Sequence, residues 1–507
     1  MAAQFNTLIE GKSTPQVANL AAVARKGQHG VASVPTYPEL DEFQLGRSSP
    51  TREYSPSLPR VARISLGSTD VESLPASFGS PRDHERAQNP ASRVTANVAH
   101  SLLNPPRNKW RFVSACVMFL ANGMGDSSLG ALIPYMEEDY HIGYSTVSLV
   151  FVANALGFIL AAPLTHAINS RLGRSKTSMI CQAFLVTAFT LIACKVPFSV
   201  VVVSYLLIGL GMSINISLNN VFLANMANGT EALGVAHGSY GIGGTIAPLI
   251  ATALVSHGIH WTYFYFINLT LAVFNLFYSG WALKGFGKEL HGQAVPGVRG
   301  TVFVQDEAQR PAQKSVLKKA VKSKVTFLGA LFIFAYQGAE VSISGWIVSY
   351  LIAYRDGDPA HVGYVSSGFW AGITLGRFAL SYPARRIGEK LSVSVLTLCA
   401  ISFQFLAWFI PNIIGQAVAV AIIGLILGPI YPCGAVVFSK LLPHNIQTTS
   451  LSFISAMGSS GGAFAPFITG LLAQQLGTVV LHPICLALYA VMFVSWCFLP
   501  RIVKRSD

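Results

Sequence analysis

Three ionisable residues stand inside long apolar runs of this chain: Asp126, Glu340 and Arg377. A charge at the centre of a bilayer costs at least about 2.5–3.5 kcal/mol, so a residue of this kind in a membrane segment is a functional candidate and needs a partner. Asp126 and Glu340 are 214 positions apart. Each has a polar residue one helical turn earlier on the same face, Asn122 and Tyr336. Two such acids could carry a proton across, and Arg377 is the cation that could neutralise one of them. In the plainer reading, Arg377 and one acid form a structural pair holding two halves of the molecule together.

Other polar and aromatic residues could meet a solute. Asn215 and Asn219 lie one turn apart, with Asn220 beside them. Carboxamides offer both donors and acceptors to hydroxyl or carbonyl groups, and they also join helices in membranes; both roles stay open. Trp370 and Tyr431 could stack on a ring, as could Trp346, although aromatic residues also serve packing and membrane interfaces. His237 could relay a proton because imidazole titrates near physiological pH, or it makes a local hydrogen bond.

These residues need helices to hold them. A helix crossing the hydrocarbon core takes about 20 mostly apolar residues, and twelve such runs follow Arg111. They lie near 111–135, 144–168, 177–195, 199–223, 234–257 and 261–284, then 325–353, 361–383, 391–410, 414–440, 446–472 and 477–500. The runs are too long for tilted strands, which leaves helices as the spanning structure. The fold class expected is an all-α membrane protein of twelve transmembrane helices. Composition agrees, since the 507 residues are 52% hydrophobic and only 11% charged, with mean hydropathy +0.49. Soluble chains carry roughly 25% charged residues.

The net charge of +13 does not point to nucleic acid. If the spans alternate, all but three of the 35 Lys and Arg residues fall on one side, the exceptions being Lys195, Arg355 and Arg377. The positive-inside rule then puts both termini and the central connection in the cytosol. The seven cysteines lie in or beside apolar spans, an arrangement that does not suggest a disulfide scaffold. Residues 1–106 are rich in Ser, Pro, Ala and Arg without a sustained period and read as a disordered cytosolic tail. Its Ser-Pro pairs near arginines, such as Ser49-Pro50 and Ser80-Pro81, could take phosphate. No phosphate loop of the Walker type and no metal-ligand spacing appears, so neither ATP-driven pumping nor enzyme chemistry is indicated, and no cofactor is expected.

The chain repeats itself. Gly157 recurs as Gly372, Arg171-Leu172-Gly173-Arg174 as Arg386-Ile387-Gly388-Glu389 and Gly209-Leu210 as Gly424-Leu425, all at an offset of 215. Gly243-Gly244-Thr245-Ile246-Ala247-Pro248 recurs as Gly461-Gly462-Ala463-Phe464-Ala465-Pro466 at 218. Two pseudo-symmetric six-helix bundles are therefore expected, at 107–284 and 325–503, joined by a cytosolic connection over 285–324. Gly243, Gly244, Gly461 and Gly462 allow close helix approach, while Pro248 and Pro466 free backbone carbonyls and permit bending as the halves rock.

Twelve spans, cytosolic termini and the repeat resemble the major facilitator superfamily. Its basic loop motif is similar to the stretch Ser170 to Lys176, including Arg171, Gly173 and Arg174, with Ser170 where the family usually has Asp. Asn122 through Pro134, Gly376-Arg377 and His237 to Gly243 resemble the fucose-permease-like group and its fungal branch. The resemblance implies that the first, fourth, seventh and tenth spans line a central cavity. It also implies a monomeric secondary transporter in the plasma membrane, moving a small organic molecule by alternating access with protons. Export of a secondary metabolite is the direction leaned to, given the extra cytosolic tail and the fungal-branch resemblance; the fourth-span asparagines favour hydroxylated cargo, while Leu218, Val221 and Phe222 allow an amphipathic one. The alternatives are proton-coupled uptake of a sugar or polyol and, in another class, a transporter-like solute sensor. Deleting residues 1–100 separates the classes: a transporter keeps its solute flux, whereas a sensor keeps binding and loses downstream signalling.

Overall fold

The computed structural model describes residues 101–286, Glu289 and 310–500. The tail up to residue 100, most of the central connection and residues 501–507 lie outside the described residues, and so do the readings made for them. Within the described part the helices are α1 (Asn108–Tyr140), α2 (Leu149–Ala193), α3 (Phe198–Ala224), α4 (Gly229–Ser256) and α5 (Phe264–Ala282). They continue with α6 (Arg310–Lys322), α7 (Lys324–Arg355), α8 (Tyr364–Ala379), α9 (Glu389–Phe409), α10 (Ile413–Leu427), α11 (Ile430–Leu441), α12 (His444–Leu476) and α13 (Leu481–Cys497).

Nine helical stretches among the described residues are long and apolar enough to cross a bilayer. One of them carries two spans, because α2 breaks at Gly173, whose φ of 74° and ψ of 166° turn the chain. Its repeat partner Gly388 also has a positive φ, 112°, between the eighth and ninth spans. A left-handed or extended-left backbone suits glycine, which has no Cβ to clash. The sixth and eighth spans, α5 and α8, complete the twelve. The eighth stops at Leu380 and continues as the short helix Ser381–Ile387. Instead of one unbroken run, the tenth is divided at Gly428–Pro429 into α10 and α11, since proline lacks the N–H and its ring crowds the preceding turn. The stretch expected as a plain connection holds α6, whose sequence is rich in Ala, Lys, Val and Leu and ends on Lys319 and Lys322, favourable at a helix C-terminus.

Lipid gives helices no hydrophobic reason to associate, so they pack where small residues let backbones meet. A Cβ on Gly157 or Gly209 would strike the backbone where the second span crosses α3, and one on Gly372 or Gly424 would do so where α8 crosses α10. These four positions are repeat equivalents, so each half is built on the same crossing. Gly243 likewise abuts the Leu120 carbonyl of α1, and Gly461 abuts the Phe334 carbonyl of α7. Both glycines therefore tighten a seam inside one half. Pro248 and Pro466 sit within unbroken α4 and α12.

Between halves, α4 runs along α8, with Gly238 against Phe378, Gly241 against Thr374 and Gly244 against Trp370. At the end of the bundle away from Asn108, Gly130 meets the Ser344 carbonyl and Gly470 meets Ser148, Trp346 and the Tyr144 carbonyl. There Ser145 N–H donates to Gln474 Oε1 at 3.4 Å and Tyr135 Oη to the Pro359 carbonyl at 3.0 Å. The preceding Asp358 caps a short helix, and the Ala360 N–H and His361 hold its carboxyl below the usual range. Further along the seam, the second span and α12 separate around an apolar groove of about 490 Å³, with Leu156, Ile159, Phe334, Phe464 and Phe467 on its walls.

Substituting two glycines of α4 tests the seam. Gly243→Ala should destabilise the protein by about 1–3 kcal/mol, because its methyl meets a backbone carbonyl. Gly234→Ala, where nothing lies within 4 Å, should be neutral or stabilise by up to about 1 kcal/mol. Melting temperatures of the two variants in detergent check the contrast.

Candidate functional site

The α1–α4 seam decides what Asp126 meets. Gly123 on α1 lies against the Tyr240 carbonyl, so the next turn of α1 brings Asp126 to the Tyr240 side chain, and the Tyr240 hydroxyl donates to Asp126 Oδ2. Asn122, expected to support Asp126, does not make this bond. It is 2% exposed, and neither polar atom of its amide has a hydrogen-bond partner.

In the other half Glu340 on α7 pairs with Arg377 on α8 at 3.7 Å, their side chains 9% and 26% exposed. Both partners belong to the same half, so this pair does not tie the halves together. Tyr336, one turn before Glu340, donates its hydroxyl to the Leu427 carbonyl at 3.3 Å and lies within hydrogen-bonding reach of Glu340 and Arg377. That carbonyl closes α10 just before the Gly428–Pro429 break. The Tyr431 ring stands 5.9 Å from that of Tyr336. Asp126 and Glu340 are within electrostatic reach of each other, as are Tyr240 and Arg377. The structure thus brings the three ionisable residues of the sequence into one constellation.

Trp370 joins it from α8. Its indole N–H donates to Ser344 Oγ at 2.9 Å, its ring lies 6.2 Å from Tyr240, and Gly244 leaves it space. On α3, Asn219 donates to Asn215 Oδ1 at 2.5 Å and reaches Met118 Sδ at 3.3 Å. Met118 and Asn122 are one turn apart on α1, as Asn219 and Asn215 are on antiparallel α3, which sets Asn122 level with Asn215. Asn215 Nδ2 is buried without a partner. Two amides with unmet hydrogen-bonding capacity, Asn122 and Asn215, therefore lie on the first and fourth spans, with Asn219 bonded to the second of them.

Other candidates lie elsewhere. His237 is exposed and meets Phe119 edge-on, ring centroids 4.9 Å apart. Trp346 seals the far end, donating to the Pro466 carbonyl at 2.9 Å beside Tyr144 and Phe151. In the loop motif Arg171 is exposed, while Arg174 donates to the Leu218 carbonyl and covers Phe222 and Phe286 at 5.3 and 5.1 Å. Gly462 faces Val341 and Gln337. Sequence reasoning passed over Tyr240 and Ser344 as site residues. The available signal for Tyr240 was its place one turn before Gly244 in a glycine-rich stretch.

Removing one member of the ion pair tests its worth. Arg377→Gln leaves Glu340 without its cation, and breaking a pair of this kind costs on the order of 3 kcal/mol. The double variant Glu340→Gln/Arg377→Gln should recover most of that loss, as read by thermal unfolding in detergent.

The Major Facilitator Superfamily model matches residues 115–466 and 357–507 of the chain. The chain is 25% identical over 422 residues to Bypass of stop codon protein 6 of Saccharomyces cerevisiae, covering 79% of this chain and 84% of that protein. It is 22% identical over 398 residues to the Glucose/mannose transporter GlcP of Bacillus subtilis, covering 77% and 94%. Among solved structures, a D-xylose–proton symporter superposes with a TM-score of 0.62 at 12% identity, over 77% of this chain and 98% of that one. The nucleoside transporter NupG does so with a TM-score of 0.60 at 13% identity, over 76% and 98%. At these identities the structural likeness is one of fold.

Proposed function

The chain belongs to the Major Facilitator Superfamily, and from that premise we propose that it is a secondary active transporter of a small, hydroxyl-rich solute of the sugar class, coupled to protons. The observation that carries this reading is the buried amides of Asn122 and Asn215, whose hydrogen-bonding capacity is unmet, with Asp126 one turn beyond Asn122 on the same helix. A solute that both donates and accepts hydrogen bonds satisfies carboxamides. An apolar solute would leave them unmet, at about 1–3 kcal/mol for each group. Trp370 beside Tyr240 and Tyr431 beside Tyr336 supply ring faces in the charged cluster, as sugar rings favour. Relatives described as a glucose/mannose transporter and a hexuronate transporter point to the same class.

Export of an amphipathic metabolite has weaker support. Of the apolar residues that allow such cargo, Val221 is 42% exposed, and Phe222 is buried beneath Arg174. Asp126 is the better placed of the two acids for proton uptake, since Glu340 is already matched by Arg377. In this reading the halves rock about the α4–α8 and α1–α7 seams, exposing the site to one side at a time. The protein works as a monomer in the plasma membrane with both termini cytosolic.

Reconstitution of the full-length chain in proteoliposomes tests the proposal. With labelled D-glucose, D-galactose and D-xylose as probes, an alkaline interior should drive accumulation that a protonophore abolishes. Asp126→Asn should retain counterflow and lose accumulation. Asn215→Ala should raise KM by about tenfold, the equivalent of one hydrogen bond worth about 1.4 kcal/mol. Absence of movement for all three sugars, together with a metabolite trapped inside cells lacking the protein, would overturn uptake in favour of export.

A further inference from the structure

Tyr240 occupies a position that neither half explains alone. Its backbone is held by α1 through Gly123, and its hydroxyl donates to Asp126 of the same half. Its ring faces Trp370 of the other half at 6.2 Å, across a seam where Gly241 and Gly244 let α8 come close. Its hydroxyl is also within electrostatic reach of Glu340 and Arg377. The Glu340–Arg377 contact at 3.7 Å is longer than the roughly 2.7–2.9 Å of a tight charge-assisted hydrogen bond. Glu340 therefore has capacity to accept another donor.

We propose that Tyr240 is a positioning residue that transmits the charge state of Asp126 in one half to the Glu340–Arg377 pair in the other. While Asp126 is ionised, it accepts the Tyr240 hydroxyl proton in a hydrogen bond. When a proton from solvent binds Asp126, a new O–H forms on the carboxyl, and that group donates to the Tyr240 oxygen. The phenolic hydrogen is released from its former partner and turns toward Glu340. One proton enters and remains on Asp126, and no other covalent bond changes. Glu340, now served by Tyr240, holds Arg377 less firmly, and the glycine-lined α4–α8 seam can shift. The other titratable groups facing this cluster are Tyr336 on α7, His237 on α4, Tyr205 on α3 and Tyr489 on α13. Each of these either lacks a bond to Asp126 or sits wholly within one half, so none makes the same link.

The inference rests on the proton-coupled reading above, and its test separates the two without needing the solute. The full-length protein in nanodiscs, with exposed Cys194 and Cys497 replaced by Ser, carries spin labels at Lys176→Cys and Ile387→Cys, one on each half. Pulsed electron resonance then reads the distance between halves at alkaline and acidic pH. The wild-type background should shift its distance distribution on acidification, and Asp126→Asn and Tyr240→Phe should each abolish the shift. Incorporating 3,5-difluorotyrosine at position 240 keeps the ring and hydroxyl while acidifying the phenol, and should retain the response with a displaced pH midpoint. Loss of the shift in Asp126→Asn but not in Tyr240→Phe would overturn the role of Tyr240 and leave coupling through Asp126 intact. A shift that survives in Asp126→Asn, or is absent from the wild-type background, would overturn both. Should Tyr240→Phe fail to fold, an unmoved midpoint in the fluorinated protein would also overturn the inference.

Discussion

An ionised group far from water must find its compensation within the protein, and the centre of this molecule is arranged around that requirement. Glu340 and Arg377 meet at 3.7 Å from adjacent helices of one half, while Asp126 in the other half has a phenol for a partner rather than a cation. The asymmetry matters. A carboxylate matched by a guanidinium has its charge neutralised in place, whereas one held by a single neutral donor can gain a proton without leaving an opposite charge stranded. The two acids occupy equivalent positions in the repeat, yet their surroundings suit them to different work.

Such placement depends on how closely the helices approach. Backbones in contact across glycine fix the rotation of each helix about its axis, and rotation decides which side chains face inward. The repeat has preserved this device in both halves, with Gly157 and Gly209 matched by Gly372 and Gly424. Along α4 the two uses of glycine diverge. Gly243 locks the helix to α1, whereas Gly238, Gly241 and Gly244 present a smooth face to α8. One helix thereby meets its own half through a backbone carbonyl and the other half through side chains.

The polar row on the first and fourth spans extends the same logic. Buried amides with unmet hydrogen-bonding capacity are costly in hydrocarbon, and Asn122 and Asn215 share that condition with Asn268 and Asn275 of α5. His237 lies apart from this row, its exposed ring edge-on against Phe119. The aromatic residues divide in the same way, with Trp370 beside the charged cluster and Trp346 closing the far end through Pro466.

The number of spans, the two halves and the three ionisable residues of the central cluster were legible in the amino-acid sequence, whereas the buried Arg111 and His482 were not singled out there. A bilayer obliges each segment to satisfy its own backbone hydrogen bonds, so crossing is a local property written in hydropathy. The division of the tenth span at Gly428–Pro429 was local too, and it passed unnoticed because the run is apolar throughout. Partner choice was not local. Periodicity placed Asn122 on the face of Asp126, yet Tyr240, more than a hundred residues away, makes the bond. Spacing could not tell that Arg377 pairs with Glu340 rather than with Asp126, or that Gly243 faces inward while Gly244 faces across the seam. Those outcomes depend on helix rotation and depth, which are set only when the helices pack against one another, and tertiary structure alone decided them.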